Sequence, residues 1–384
     1  MDRVEDALRM RLKKIKTGLS RGLGGLCALL LGMQTAVAAK TEGYQDPFVA
    51  GMQHYAKESQ LTSVAAYAEE VQQRVRNEGY IGPELPIPPL EKAAEGVYTI
   101  TGALMWATKE NFGLNNNISF VEFEDGIMVY NAGPNPVVAY SAHKQIKRIT
   151  DKPVKWVVIE NNQGHANLGA SYWWDVGVRH IYSQEFATKD FNKAFDRGVE
   201  RGVLRGDEAL YAPARNMTAK YTTFKDRAEI DVGGGETVEL RYFGEAHTRG
   251  STVAFVPSKK LLFTGDLGYA DRMIAVFPYT NTHDWMGAFE RMRAYAGEDA
   301  LVIPGHGGPS TMAKVAEDTY EYLKYMRDES LELIRAGKGV DEALKIDQSQ
   351  FAWRPVYAQT YKGNARKIFN DVLRHLPAEE KDDN

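Results

Sequence analysis

Four short segments of this chain set a histidine or an aspartate within three residues of a glycine, close to an apolar run: NNQGHANLG, GEAHTRGST, FTGDLGY and VIPGHGGPS. Imidazole nitrogens and carboxylate oxygens bind zinc, iron(II) and similar divalent ions. Glycine lets the backbone approach a bound group closely. His165, His247, Asp266 and His306 are therefore the candidate metal ligands. A single histidine after a strand is more often structural than a ligand. The expectation rests on the four segments together and on their order.

Other polar residues carry weaker signals. Tyr269, Tyr279, His283 and Arg249 lie in or near these segments, and surface or packing roles are expected for them. His54, His143, His180 and His375 lie outside the segments and receive no role. Tyr172, Trp173 and Trp174 are expected to pack the helix that follows the first segment.

Strands must carry these loops. Short β-like runs begin near Gly96: VYTITGALMWAT, ISFVEF, GIMVYNAG and VKWVVIE, then TVELRYFG, STVAFVPS and KLLFTGDL. SAHKQIKRITD reads as a helix before VKWVVIE, so helix and strand alternate there. Apolar spacing predicts helices over 46–78, 284–296, 311–336 and 363–376. IGPELPIPPLEK, 81–92, is a proline-rich connector. The stretch 185–215 reads as helical and loop-rich, and is expected to cover the pocket. Strand-rich halves with interspersed helices imply two packed sheets with helices outside.

The 384 residues allow one large domain or two, and the composition is globular, 43% apolar and 26% charged. A basic start, the apolar stretch LGGLCALLLGM and an A-x-A pattern at Ala36 and Ala38 lay out a secretory signal over 1–39. Cleavage near Ala38 or Ala39 would leave a periplasmic or secreted protein with no stable membrane anchor. The apolar stretch is shorter than the roughly 20 residues a span needs. The one cysteine, Cys27, falls inside that segment, so the remainder has no thiolate ligand. Lys and Arg number 47 against 51 Asp and Glu, with no basic patch, which argues against a nucleic-acid partner. The divisions expected are 1–39 signal, 40–92 helical extension and connector, 93–310 site-bearing domain, and 311–384 helical region.

The order of segments resembles the metallo-β-lactamase superfamily. GEAHTRGSTVAFVPSKKLLFTGDL is similar to its A-H-T-x-G histidine strand and the following bridging aspartate. VIPGHGGP is similar to its final P-G-H-G loop. NNISFVEFEDGIMVYNAG resembles its opening hairpin, with Asn131 where an aspartate is usual. The resemblance covers about 96–310, and YKGNARKIF resembles an exported branch near the sulfur-oxidation and quinoprotein-relay hydrolases. It implies an α+β, four-layer αββα sandwich. The family's first motif, H-x-H-x-D-H, falls on N-N-Q-G-H-A. Asn161 and Gln163 stand at its first two histidines, His165 at its aspartate and Ala166 at its last histidine.

The consequence is asymmetric. By resemblance, the first metal position keeps only His247, with two weakly ligating carboxamides beside it. The second keeps His165, Asp266 and His306, a set suited to one Zn(2+) per chain, or to Fe(2+). The resemblance implies an exported hydrolase of a small-molecule ester, lactone, amide or sulfate ester. Asp266 and His247 are the candidate catalytic residues, and Asn161 and Gln163 the candidate substrate contacts. The alternative is a non-catalytic descendant that binds a small molecule or a protein partner in the same pocket.

Overall fold

The computed structural model describes residues 64–79 and 82–376. The signal segment and the first part of the helix expected over 46–78 lie outside the described residues. The described remainder of that helix is α1, Val64–Glu78.

Along the chain follow β1 (Glu91–Ala94), β2 (Val97–Ile100), β3 (Ile118–Glu122), β4 (Ile127–Tyr130), α2 (Pro136–Ile149) and β5 (Val154–Ile159). Next come α3 (Gly164–Asn167), α4 (Ala170–Asp175), β6 (His180–Gln184), α5 (Glu185–Arg205), α6 (Glu208–Tyr211) and β7 (Thr222–Phe224). The second half holds β8 (Arg227–Asp231), β9 (Thr237–Arg241), β10 (Val253–Val256), β11 (Leu261–Tyr269), α7 (Thr282–Ala296), β12 (Leu301–His306) and β13 (Ser310–Thr311). It ends with α8 (Met312–Val315), a π-helical turn (Ala316–Tyr320), α9 (Glu321–Arg335), α10 (Val340–Ala343) and α11 (Tyr357–His375).

The strands form two mixed sheets, ordered β1-β2-β3-β4-β5-β6-β7 and β13-β12-β11-β10-β9-β8. β4, β5, β6 and β7 pair in parallel, as do β11 and β12; the other neighbours are antiparallel. Side chains alternate between faces along a strand. On β4, Ile127 and Val129 point to an outer core with α1, α2, α4 and α5. Met128 and Tyr130 point to an inner core, where they meet Val238, Leu240 and Phe263 of the second sheet. Tyr130 stacks on Phe263 across that interface, ring centroids 4.9 Å apart. Such a pair contributes about 0.5–1.5 kcal/mol beyond its area. The second sheet's other face, with Leu262 and Val302, packs against α7, α9 and α11. The result is the four-layer αββα sandwich. Among the described residues, no helix is long and apolar enough to cross a membrane.

Some elements depart from the sequence reading. VYTITGALMWAT stops pairing at Ile100, because the next backbone leaves the ladder: Gly102 donates to the Asn117 side chain at 3.0 Å instead. β1 begins inside the expected connector, and β6, β7 and β8 escape a reading that looked for longer apolar runs. The stretch 185–215 is mostly the 21-residue α5, whose Phe191, Phe195 and Val199 are core residues. It is thus largely a layer of the fold rather than a cover. Trp173 is fully buried and donates to the Ala132 carbonyl at 3.0 Å, the packing role expected of it.

His143 lies away from the site, 2.9 Å from the Tyr172 hydroxyl. Burial, with Lys147 and Lys144 nearby, pulls its pKa down to about 4. The folded protein therefore resists protonating it while the unfolded chain accepts the proton from about pH 6.5. Its share of stability is intact above that pH and is lost as pH falls toward 4. His143→Phe should flatten the acid-side fall in Tm between pH 6.5 and 4 by roughly 2–4 °C. Parallel pH profiles for the variant and the wild type would refute this.

Candidate metal site

The site lies where the ends of β4, β5, β11 and β12 meet. β5 ends at Ile159, and the chain turns through Glu160, Asn161 and Gln163 into α3, which carries His165. Asp266 lies within β11 at an irregular register, and His306 closes β12. His247 comes from the loop between β9 and β10. The register break at Gly265 has a local cause. Gly265 has a φ of +52°, and a Cβ there would sit 1.9 Å from Glu160 Oε2, so only glycine fits. Gly305 is similarly constrained: its Cβ would sit 2.5 Å from Asp266 Oδ1.

Three side chains converge. One donor atom each from His165, Asp266 and His306 lies within 4.8 Å of the other two. His306 Nε2 is 3.2 Å from Asp266 Oδ1, and His165 Nε2 is 3.4 Å from Asp266 Oδ2. Charge-assisted hydrogen bonds are shorter, near 2.7–2.9 Å. Ligands about 2.0–2.2 Å from a shared tetrahedral ion stand roughly 3.3–3.6 Å apart. These spacings are close to those of a ligand set. Glu160, 1% exposed, adds a second carboxylate. Its Oε1 is 3.3 Å from His165 Nε2, while its Oε2 has no hydrogen-bond partner among the described residues. The donor types, their spacing and a buried carboxylate oxygen without a partner all fit a divalent cation.

The first position is occupied differently. Asn161 donates to Asp266 Oδ2 at 3.2 Å and accepts from the Gln163 backbone at 2.7 Å. Its amide is thus engaged within the protein, positioning Asp266. Gln163 donates to His247 Nε2 at 2.9 Å and to the Tyr279 hydroxyl at 2.9 Å. With Nε2 accepting, His247 holds its hydrogen on Nδ1, 3.4 Å from the Tyr269 hydroxyl. His247 Nε2 stands 3.5 Å from Asp266 Oδ2. Hydrogen-bond donors, rather than ligands, fill this side.

The electrostatics follow from burial and charge. Burial pushes His247 down to about 4 and, with the neighbouring Arg272, His306 down to about 3. Burial opposes protonation of His165 too, but Asp266 and Glu160 outweigh it and raise its pKa to about 9. Burial and Asp266 lift Glu160 to about 7. Despite its own burial, Asp266 is held well below the usual carboxylate range by His306 and His165.

Of the weaker candidates, Tyr269 stacks on His306 at 4.9 Å, and Tyr279 is 57% exposed with its hydroxyl bonded to Gln163. His283 stacks on His375 instead, and Arg249 lies over Phe186. Asn131 has a φ of +71° and ties the Asn116 side chain to the Glu160 backbone. Sequence reasoning missed Glu160, Asn116 and Arg272. Glu160 carried a signal, a carboxylate at the strand end directly before Asn161. Asn116, which donates to Glu160 at 2.8 Å, and Arg272 carried none.

No protein-family profile matches the chain. Among solved structures it is similar to a metallo-beta-lactamase from Pontibacter korlensis, at 18% identity and TM-score 0.48, over 61% of this chain and 98% of that one. It is similar to the DIM-1 metallo-beta-lactamase exposed to ceftazidime, at 18% identity and TM-score 0.47, over 62% and 98%. It is also similar to TMB-1, at 16% identity and TM-score 0.48, over 62% and 99%.

Proposed function

We propose that the protein is an exported hydrolase of a small-molecule ester, lactone, amide or sulfate ester, dependent on one divalent ion. His165, Asp266 and His306 would hold the ion, zinc or iron(II). The observation that carries this reading is the convergence of those three donor atoms within 4.8 Å. A divalent ion there would supply Lewis-acid polarisation of the substrate oxygen and make water easier to deprotonate.

The chain's own residues supply the rest. Asn161 holds Asp266 in place through Oδ2. His247, neutral, offers Nε2 as a proton acceptor once Gln163 turns toward substrate. Gln163 and Tyr279 stand where a substrate would enter. Phe277 packs against His247 and Tyr279, and Trp106 against Phe277 and Arg272, so apolar rings stand beside the site and would favour an apolar substituent. One observation supports the alternative of a non-catalytic binder: the Gln163–Tyr279 hydrogen bond closes the mouth over His247, itself 1% exposed.

The test is hydrolysis of a panel of aryl esters, lactones, anilides and aryl sulfates, with and without chelator. Turnover of one class, abolished by chelator and restored by Zn2+ or Fe2+, is expected. No turnover of any class by metal-loaded protein would favour the binder.

A further inference from the structure

Arg272 follows β11 and is buried, 1% exposed, against His306. Its Nη1 stands 2.6 Å from His306 Nδ1 and 3.2 Å from His306 Nε2. Its guanidinium lies over the Trp106 ring, 5.0 Å from the centroid.

The loop around it is firmly anchored. Asp271, at a φ of +57°, donates its backbone N–H to Asp318 at 2.7 Å. Asp318 is itself fully buried and paired with Arg354 and Lys314, at 3.0 and 2.7 Å. Met273 donates to the Pro355 carbonyl at 3.2 Å. The π-helical turn and the segment before α11 thus hold Arg272 where it is.

That placement opposes metal binding at His306 in two ways. An imidazole that binds an ion through one nitrogen carries its hydrogen on the other, and normally donates it to a carboxylate, a carbonyl or water. A guanidinium has five donors and no acceptor. Nη1 faces both ring nitrogens, at 2.6 Å from Nδ1 and 3.2 Å from Nε2, and offers neither an acceptor, so the Nδ1 hydrogen that metal binding through Nε2 requires would meet a donor instead. The guanidinium is also a permanent positive charge 3.2 Å from Nε2, so a divalent ion there would meet a like charge at close range.

Resting on the metal reading above, we propose that Arg272 is a positioning residue that competes with the divalent ion for His306. It lowers the site's affinity, so that a bound ion exchanges readily. Substituting it should therefore tighten metal binding, although the residue lies beside the site and its loss would ordinarily be expected to damage it.

The test is titration of chelator-treated full-length protein with Co2+ alone, read by its visible absorption and by competition with a chelating dye. Arg272→Gln, which can offer an acceptor, and Arg272→Met, which removes the charge, should bind about 10–100-fold more tightly than wild type. Arg272→Lys, which keeps a cationic donor, should stay closer to wild type. If wild type binds and neither variant binds more tightly, this inference falls and the metal reading stands. If only the variants bind, the inference stands and the metal-dependent reading of the native protein falls. If none binds, both fall. Should both variants fail to fold, 15N NMR of the metal-free wild type decides: His306 Nδ1 should carry no hydrogen, and a protonated Nδ1 overturns the proposal.

Discussion

Asp266→Asn is expected to strip the site of its divalent ion and to abolish hydrolysis. Asp266 is the only carboxylate of the convergent trio, and every other site nitrogen is arranged around it. His306 approaches one oxygen, while His165, His247 and Asn161 approach the other. An asparagine of nearly the same shape would leave two neutral imidazoles as ligands. It would also turn an amide donor toward groups that themselves donate. Replacing residues that merely support metal ligands typically costs 10–100-fold in affinity, so loss of this ligand should cost at least about 100-fold. Dialysis against graded chelator, followed by metal analysis, checks it. An Asp266→Asn protein that retains metal at the wild-type level would remove Asp266 from the ligand set.

His247→Ala should leave metal binding intact and still cost most of the rate. His247 is outside the trio, and its Nε2 meets the Gln163 amide rather than a second ligand. Burial holds it neutral at pH 7 with Nε2 unprotonated, and the neighbouring Asp266 carboxylate is the group that would favour a proton taken up there. A positioned acid or base of this kind contributes about 10²–10⁴-fold. The variant should keep metal near the wild-type level and lose activity by that factor on the substrate class the panel identifies. If His247→Ala instead loses metal in parallel with His306→Ala, His247 is a ligand, and the first position holds an ion despite Asn161 and Gln163.

Much of this architecture could be read from residue order. The runs VKWVVIE, STVAFVPS and KLLFTGDL fall on β5, β10 and β11, because strands buried on both faces are apolar almost throughout. The same property hid β7 and β8, which are short and partly exposed, as in Arg227–Asp231. At the site, the Gly–His and Gly–Asp pairs pointed to the right loops because only glycine tolerates the close approaches at Gly265 and Gly305. The partners of those residues were not legible. Asn116 reaches Glu160 across 44 positions, and Arg272 reaches His306 across 34. Neither spacing has a local periodicity, so tertiary packing alone brings them together. Asn161 shows the other limit. Its type suggested a substrate contact, but whether its amide faced the pocket or Asp266 depended on a turn that no residue pattern specifies.

The most direct measurement is the metal content of protein purified from its native source without added metal, by elemental analysis. About one divalent ion per chain is expected, removable by chelator and absent from Asp266→Asn. A content near two would mean that the amide-lined first position also holds an ion. A content near zero, with no uptake on adding Zn2+ or Fe2+, would contradict the assignment of His165, Asp266 and His306 as a metal site.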